Sequence, residues 1–198
     1  MAENMTVEVV KMGGGIVAFV LALYQWRKGQ EWQRASKGRE LVDQLLESDD
    51  KDEEYYAWDA MKMLDYTEKR GFTRTKKIEG ERHPVTGPDI LKSLESGDGS
   101  NIKETYIREC FDELYFRIGQ LQDAIDNKMV RFEHVCCPMD YYSTLLAKNL
   151  KAHYGYMHKY QYSRTLRFLE NFRIWSNARK AARLTEPAKA EPAKLKQN

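Results

Sequence analysis

The densest group of metal-binding side chains in this sequence is Glu133, His134, Cys136 and Cys137. Carboxylate, imidazole and thiolate groups bind Zn²⁺, and a structural zinc site needs about four such ligands in a tetrahedron. Adjacent cysteines rarely reach one tetrahedral ion together, and no second Cys-x-x-Cys pair supplies further ligands. The group is better interpreted as a turn with two small thiols packed beneath it. The sequence therefore predicts no metal ion here.

Histidine could also act as a general acid or base. The helical RNA-cleaving domains of accessory membrane proteins in RNA-targeting CRISPR systems pair an Arg with a His about four to six residues later, and acid–base chemistry depends first on such geometry. None of the four histidines has an Arg at that upstream spacing. No Glu stands three residues before a His, as a di-iron bundle requires, and nucleotide-binding and hydrolase motifs are missing. We therefore predict no catalytic residue, no cofactor and a protein that is not an enzyme.

The elements that would position any site begin with an apolar amino-terminal segment. Residues 13–26, GGGIVAFVLALYQW, carry no charge, and the apolar character extends back to Val7 with only Glu8 and Lys11 interrupting it. A helix of about 20 residues is about 30 Å long, which matches the hydrocarbon core of a bilayer. A buried helix and a cleaved export signal are the alternatives. The pattern favours a membrane anchor over residues 1–28.

The flanks of this segment predict its orientation. Five basic residues follow within a short distance: Arg27, Lys28, Arg34, Lys37 and Arg39. The positive-inside rule then places the carboxy-terminal body in the cytoplasm. The odd number of cysteines, three, is a poor disulfide framework and also indicates a reducing compartment.

Small residues recur along the same segment. Gly14, Ala18 and Ala22 are spaced four residues apart. Such a stripe lets two helices approach closely, although Gly and Ala are also common in spanning helices for other reasons. We predict these three residues as helix-association positions in a homo-oligomer or with a protein partner.

The remaining chain has a helical pattern. Apolar residues recur every three or four positions within 101–127, at Ile107, Phe111, Leu114, Ile118, Leu121 and Ile125. This heptad-like seam predicts a bundle helix. Weaker patterns predict further helices over 31–48, 48–70, 138–152 and 156–182. The fold class predicted is all-α, with a transmembrane helix followed by an antiparallel bundle of about four helices over 29–183.

Two segments break the helical pattern. Residues 71–100 contain repeated Gly and Pro and predict a long loop, with a short helix at PDILKSLES. Residues 184–198 form a short Pro-Ala-Lys repeat and predict a disordered tail.

Charge is unevenly distributed along the chain. Residues 40–66 hold ten acidic and two basic side chains, a charge of −8, and residues 148–183 hold nine basic and one acidic, a charge of +8. The basic segment could bind single-stranded nucleic acid or anionic lipid, but packing against the acidic helix at 49–66 is the simpler interpretation. Its residues Arg164, Arg167 and Arg173 are our predicted partner-binding positions.

The order of segments resembles an uncharacterised group of bacterial single-pass membrane proteins with a cytoplasmic helical domain of unknown function. The resemblance covers about residues 10–176 at the level of layout, including ETYIRECFDELYFRIGQLQDAIDNKMV and RFLENFRIW. It implies a bacterial inner-membrane location and no activity. We therefore expect a membrane-tethered scaffold or accessory subunit that docks protein partners. The alternative is a membrane-associated defence effector, either an oligomeric pore former or an RNA-responsive domain.

Overall fold

The fold is mostly helical. The computed structural model describes residues 2–46, 56–68, 73–96, 101–148 and 150–185, with side chains described from residue 19 onward in the first helix. Within these residues there are seven helices and one hairpin: α1 (Ala2–Leu46), α2 (Tyr56–Glu68), β1 (Thr73–Ile78), β2 (Glu81–Thr86), α3 (Gly87–Ser96), α4 (Ile102–Asp126), α5 (Phe132–Lys148), α6 (Leu150–Lys159) and α7 (Ser163–Thr185). The predicted all-α class is confirmed, with a small sheet added.

Helix α4 is the centre of the bundle, as its seam predicts. Its apolar face is buried, with Phe111, Leu114 and Ile118 fully excluded from solvent. The side chain of Asn101 accepts a hydrogen bond of 2.9 Å from the backbone N–H of Glu104, which caps the helix. Helices α2 and α7 both pack against α4. The periodic apolar residues therefore give α4 a continuous apolar face, which neighbouring helices bury.

The predicted loop at 71–100 was wrong over much of its length. β1 and β2 form an antiparallel hairpin in which Ile78 pairs with Glu81. The two turn residues, Glu79 and Gly80, both have positive φ angles, of 46° and 86°, as a tight two-residue hairpin turn requires. The short helix predicted within this segment is confirmed as α3. The sequence did not predict the two strands, because most of their side chains are polar and show no alternation of apolar and polar residues.

The carboxy-terminal helices begin and end at other residues than the sequence predicts. Helix α5 begins at Phe132, so Pro138 lies inside it and does not begin it. The single helix predicted over 156–182 is divided between α6 and α7 by a turn, where Gln161 has a φ of 61°. Helix α7 continues to Thr185, and the rest of the predicted tail lies outside the described residues.

The predicted membrane anchor is not supported. No described helix combines the length and the apolar character that crossing a bilayer requires. The uncharged part of α1 is about 14 residues, or about 21 Å, which is shorter than the roughly 30 Å hydrocarbon core. This finding contradicts the predicted anchor over residues 1–28 and the predicted single-pass inner-membrane localisation, and it removes the basis of the positive-inside argument for a cytoplasmic body.

Candidate docking surface

Residues 19–29 of α1 are not covered by the bundle. Each described side chain from residue 19 to 29 is exposed. The large apolar ones are 43–64% exposed and comprise Phe19, Val20, Leu21, Leu23, Tyr24 and Trp26. Burial begins further along the helix at Gly38, and Val42 and Leu45 then enter the core. One helix therefore contributes both to the core and to an uncovered apolar surface, which we call the α1 arm (residues 19–29).

One face of the α1 arm combines large and small side chains. Phe19, Leu23 and Trp26 are separated by four and three residues, so they share a helical face, and Ala22 lies beside them. Ala22 is exposed. Gly14 and Ala18 also lie in α1, but their surroundings are outside the description, so the predicted small-residue stripe stays a prediction. A face of this composition can receive the side chains of another helix.

The bundle holds the carboxy-terminal half of α1 in place. Gly38 is buried against His134 of α5, where an added Cβ would lie only 2.8 Å from the His134 Cβ. Arg117 of α4 donates hydrogen bonds of 2.9 and 3.4 Å to the carbonyl oxygens of Gln44 and Leu45. These carbonyls belong to the last turn of α1, where a cation is favourable. The direction of the α1 arm is therefore set by contacts with α4 and α5.

The three predicted partner-binding arginines make ion pairs within the chain. Arg164 pairs with Asp123 at 2.6 Å, and Arg173 pairs with Glu170 at 2.7 Å. Arg167 pairs with Asp126. Arg164 and Arg167 of α7 therefore pair with carboxylates of α4, whereas Arg173 pairs within α7. None of these three pairs involves the acidic helix at 49–66 that the sequence predicts as their partner, of which residues 49–55 lie outside the described residues. The three arginine side chains remain 54–66% exposed, so their role in binding a partner stays a prediction.

A second exposed apolar residue lies on α4. Phe116 is 55% exposed and lines two surface hollows of about 330 Å³ each. One hollow lies towards the start of α7 and includes Arg164, and the other lies towards Leu41 at the end of α1. Phe116 is therefore an exposed aromatic residue outside the α1 arm. A substitution at Phe116 is a control for substitutions within the arm.

The potential metal ligands at 133–137 are not brought together. Cys136 is buried and Cys137 is exposed, as adjacent positions on a helix dictate. Burial raises the pKa of the Cys136 thiol to about 12, which keeps it protonated. His134 packs against Gly38 of α1. Across the described part of the chain, no cluster of three or more His, Cys, Asp or Glu side chains could hold a metal ion.

Two buried polar networks stabilise the bundle, and the sequence analysis missed both. Lys76 of β1 forms an ion pair with Asp59 of α2, and the Tyr106 hydroxyl donates to the same carboxylate at 2.5 Å. Burial raises the pKa of the Tyr106 hydroxyl, so it stays protonated and can donate. In the second network, Tyr115 contacts His153. Polar residues on otherwise apolar helix faces were the available signal for both.

No protein-family model, curated protein or solved structure matches this chain. The resemblance to bacterial single-pass proteins finds no support in these comparisons, and the single-pass location that it implies is contradicted by the helices of the fold.

Proposed function

We propose that this protein is a non-enzymatic helical scaffold that self-associates through the α1 arm. The observation that carries the proposal is the exposure of six large apolar side chains between Phe19 and Trp26 on a helix fixed to the bundle at its other end. Monomeric proteins rarely leave contiguous apolar patches larger than about a few hundred Å² in contact with water. A surface of this kind is therefore expected to be covered.

The exposed apolar area of the arm is comparable to that of an interface. With aromatic side chains of about 150–250 Å² each, the six exposed fractions correspond to roughly 800 Å² around the whole helix, of which the face of Phe19, Leu23 and Trp26 holds about half. A stable protein–protein interface buries about 800 Å² on each partner, so an oligomer that also covers Val20, Leu21 and Tyr24 is expected to be more stable than a contact through this face alone. A two-fold contact would place Phe19, Leu23 and Trp26 of one copy against the same residues of the other. Ala22 would allow the two helix backbones to approach.

The experiment compares the oligomeric state of the full chain with that of charged variants. Leu23→Glu and Trp26→Glu, separately and combined, place carboxylates in the proposed contact without touching the bundle core. Analytical ultracentrifugation at about 10 µM should show dimers or larger oligomers for the natural sequence and monomers for the double variant, since buried unpaired charges oppose association. Far-UV circular dichroism should be the same for both.

Phe116→Glu is the matched control, because it also places a carboxylate at an exposed aromatic position. It should leave the oligomer intact. A monomeric natural sequence, or an oligomer that survives the double variant, contradicts the proposal. So does dissociation by Phe116→Glu alone, which would place the interface on α4. Co-sedimentation of a chain that is monomeric in buffer with phospholipid vesicles would assign the arm to lipid instead.

A further inference from the structure

The hairpin of β1 and β2 has two outer edges, because no third strand lies beside it in the described part of the chain. Its turn has only two residues, so Ile78 and Glu81 on either side of the turn form a hydrogen-bonded pair. Bonded and non-bonded pairs then alternate along the ladder. Thr75 and Lys77 of β1 are therefore at non-bonded positions, and their backbone N–H and C=O groups point away from β2.

The outer edge of β2 is unsuited to pairing with a further strand. Pro84 lies at an outward-pointing position and has no N–H, and its carbonyl oxygen accepts a hydrogen bond of 3.4 Å from Lys103 Nζ. At the next outward-pointing position, the N–H of Thr86 donates to the Asp89 carboxylate at 2.9 Å. A third strand beside β2 would therefore meet at most one free N–H, that of Arg82.

The outer edge of β1 has free hydrogen-bonding groups. No described residue forms a hydrogen bond with the outward N–H or C=O groups of Thr75 and Lys77, and both residues are exposed. Backbone groups without a protein partner are available for pairing, and an unpaired edge strand is a template for another extended chain. An added strand is therefore expected beside β1 and not beside β2.

The charges of β1 determine which extended chain can pair with it. The strand TRTKKI has three cations and no acidic residue, and only Lys76 is neutralised, by Asp59. Lys77 lies directly opposite Arg82 on the exposed face, and neither forms an ion pair with a described residue. Like charges at opposite positions are destabilising, and basic edge residues also oppose pairing with β1 of a second copy. Carboxylates beside Lys77 would reduce this repulsion.

We propose that the outer edge of β1 binds an extended acidic segment of a partner protein as a third strand of the sheet. The backbone of that segment pairs with the outward groups of Thr75 and Lys77, and its carboxylates lie beside Lys77 on the exposed face. In binding of this kind, main-chain hydrogen bonds supply affinity and side chains supply specificity. The site is on a different element from the α1 arm, so it adds a partner to the proposed self-association.

The first experiment measures binding of a fluorescein-labelled Glu-Val-Glu-Val-Glu-Val amide to the full chain by fluorescence anisotropy. We expect a Kd of the order of 100 µM at low salt, and weaker binding as salt is added. A Lys-Val-Lys-Val-Lys-Val amide should bind at least tenfold more weakly. Two further probes carry N-methyl groups on the three glutamates or on the three valines, and each therefore lacks the N–H donors of one strand edge. One of these two should lose binding by more than tenfold.

Variants connect binding to the edge of β1. Thr75→Pro removes an outward N–H but no bond between β1 and β2, and it should weaken binding of the acidic peptide about tenfold. Lys77→Glu should also weaken it about tenfold. Lys151→Glu, the same charge reversal at an exposed position of α6, should leave the Kd unchanged. In each variant, an unchanged exchange rate of the Lys76 amide, which faces β2, shows that the hairpin is intact.

Amide exchange measured by NMR locates the peptide on the natural sequence. At saturating acidic peptide, the N–H groups of Thr75 and Lys77 should exchange at least tenfold more slowly than in the free protein, while that of Lys76 should change little. Slower exchange at Arg82 in place of Thr75 and Lys77 would place the peptide beside β2 and contradict the proposal.

The proposal is overturned if the acidic peptide does not bind at about 2 mM. It is also overturned if both N-methylated probes bind as well as the parent peptide, or if Lys151→Glu weakens binding as much as Lys77→Glu, because attraction between charges would then explain the binding. The double variant Leu23→Glu and Trp26→Glu should bind the acidic peptide with an unchanged Kd. Failure of the β1 site and failure of the α1 arm are therefore distinguishable.

Discussion

The phenol oxygen of Tyr115 and Nδ1 of His153 are joined by a hydrogen bond of 2.6 Å in the interior of the bundle. Neither side chain reaches solvent. This bond connects α4 to α6, and the Thr165 hydroxyl of α7 also donates to the backbone carbonyl of Tyr115. The three helices thus meet at one residue, whose polar atoms are satisfied by its neighbours.

Removing the hydroxyl of Tyr115 should destabilise the fold. Tyr115→Phe leaves His153 Nδ1 without its partner, and Nε2 already has none among the described residues. A buried polar group without a partner costs about 1–3 kcal/mol, so we expect that loss in the free energy of unfolding from urea denaturation. Tyr141→Phe removes a hydroxyl that donates to Asp65 at an exposed position and should cost less than about 0.5 kcal/mol. Similar losses in the two variants would contradict a buried network.

The same histidine should make stability depend on pH. Burial lowers the pKa of His153 from 6.5 to about 4 in the folded chain. Between these values the unfolded chain binds more protons than the folded chain, so the free energy of unfolding falls as pH is lowered from 6.5 to 4. The shift corresponds to roughly 3 kcal/mol, which is fully present above pH 6.5.

His153→Gln is the variant that isolates this contribution, because glutamine offers Tyr115 a neutral acceptor. Urea denaturation at intervals between pH 4 and 7 should show a smaller loss of stability at low pH for the variant than for the natural sequence. Parallel pH profiles for the two proteins would show that His153 is protonated equally in the folded and unfolded states.

The sequence predicted α4 well because its signal is local. Phe111, Leu114 and Ile118 recur at helical spacing, and Asn101 is a preferred capping residue. Among the described side chains of the hairpin, one apolar residue in each strand is buried: Ile78 in β1 and Val85 in β2. A single buried residue per strand produces no alternating pattern. The turn between them is Glu-Gly, which is a weaker hairpin signal than Asn-Gly or Asp-Gly.

For the α1 arm, the sequence predicts an apolar surface but not what covers it. The apolar character of the α1 arm is evident from composition, but composition does not distinguish lipid, a protein core or a second copy as its surroundings. The ion pairs of α7 were mispredicted because summing charge over long windows ignores which helices are neighbours. Arg164 finds Asp123 at 2.6 Å, 41 residues away, and this proximity arises only from the packing of α7 on α4.

The buried ion pair between Lys76 and Asp59 should contribute more to stability than any exposed pair. Asp59→Asn removes the carboxylate that both Lys76 and Tyr106 bind and leaves a largely buried ammonium group unpaired. We expect a loss of about 2–4 kcal/mol in the free energy of unfolding. Amide hydrogens of the hairpin should also exchange faster, since Lys76 connects β1 to α2.

Glu40→Gln provides the comparison for this prediction. It disrupts the pair between Lys37 and Glu40, whose side chains are 38% and 51% exposed. Exposed pairs of this kind contribute less than about 1 kcal/mol. If both variants lost the same free energy of unfolding, the burial of Asp59 would have no energetic consequence, and the hairpin would be attached by other contacts.

Two glycines of α1 should respond in opposite directions to the same substitution. Gly29 has nothing within 4 Å of an added Cβ, so Gly29→Ala should stabilise the helix by about 0.5–1 kcal/mol, as alanine restricts the unfolded chain more. At Gly38 the added Cβ would lie 2.8 Å from the His134 Cβ, which is too close for two carbon atoms. Gly38→Ala must therefore push α1 away from α5, and we expect a loss of about 1–3 kcal/mol.

Because both substitutions are made in one helix, any general effect of alanine on helix formation is common to them. Urea midpoints at a fixed protein concentration provide the measurement, with the slope of the transition expected to stay constant. Gly38→Ala should also change the oligomer distribution, since the contact at His134 helps to fix the direction of the α1 arm. If Gly38→Ala stabilised the protein as much as Gly29→Ala, α1 would not be held against α5 at this point, and the arm would be free to adopt other directions.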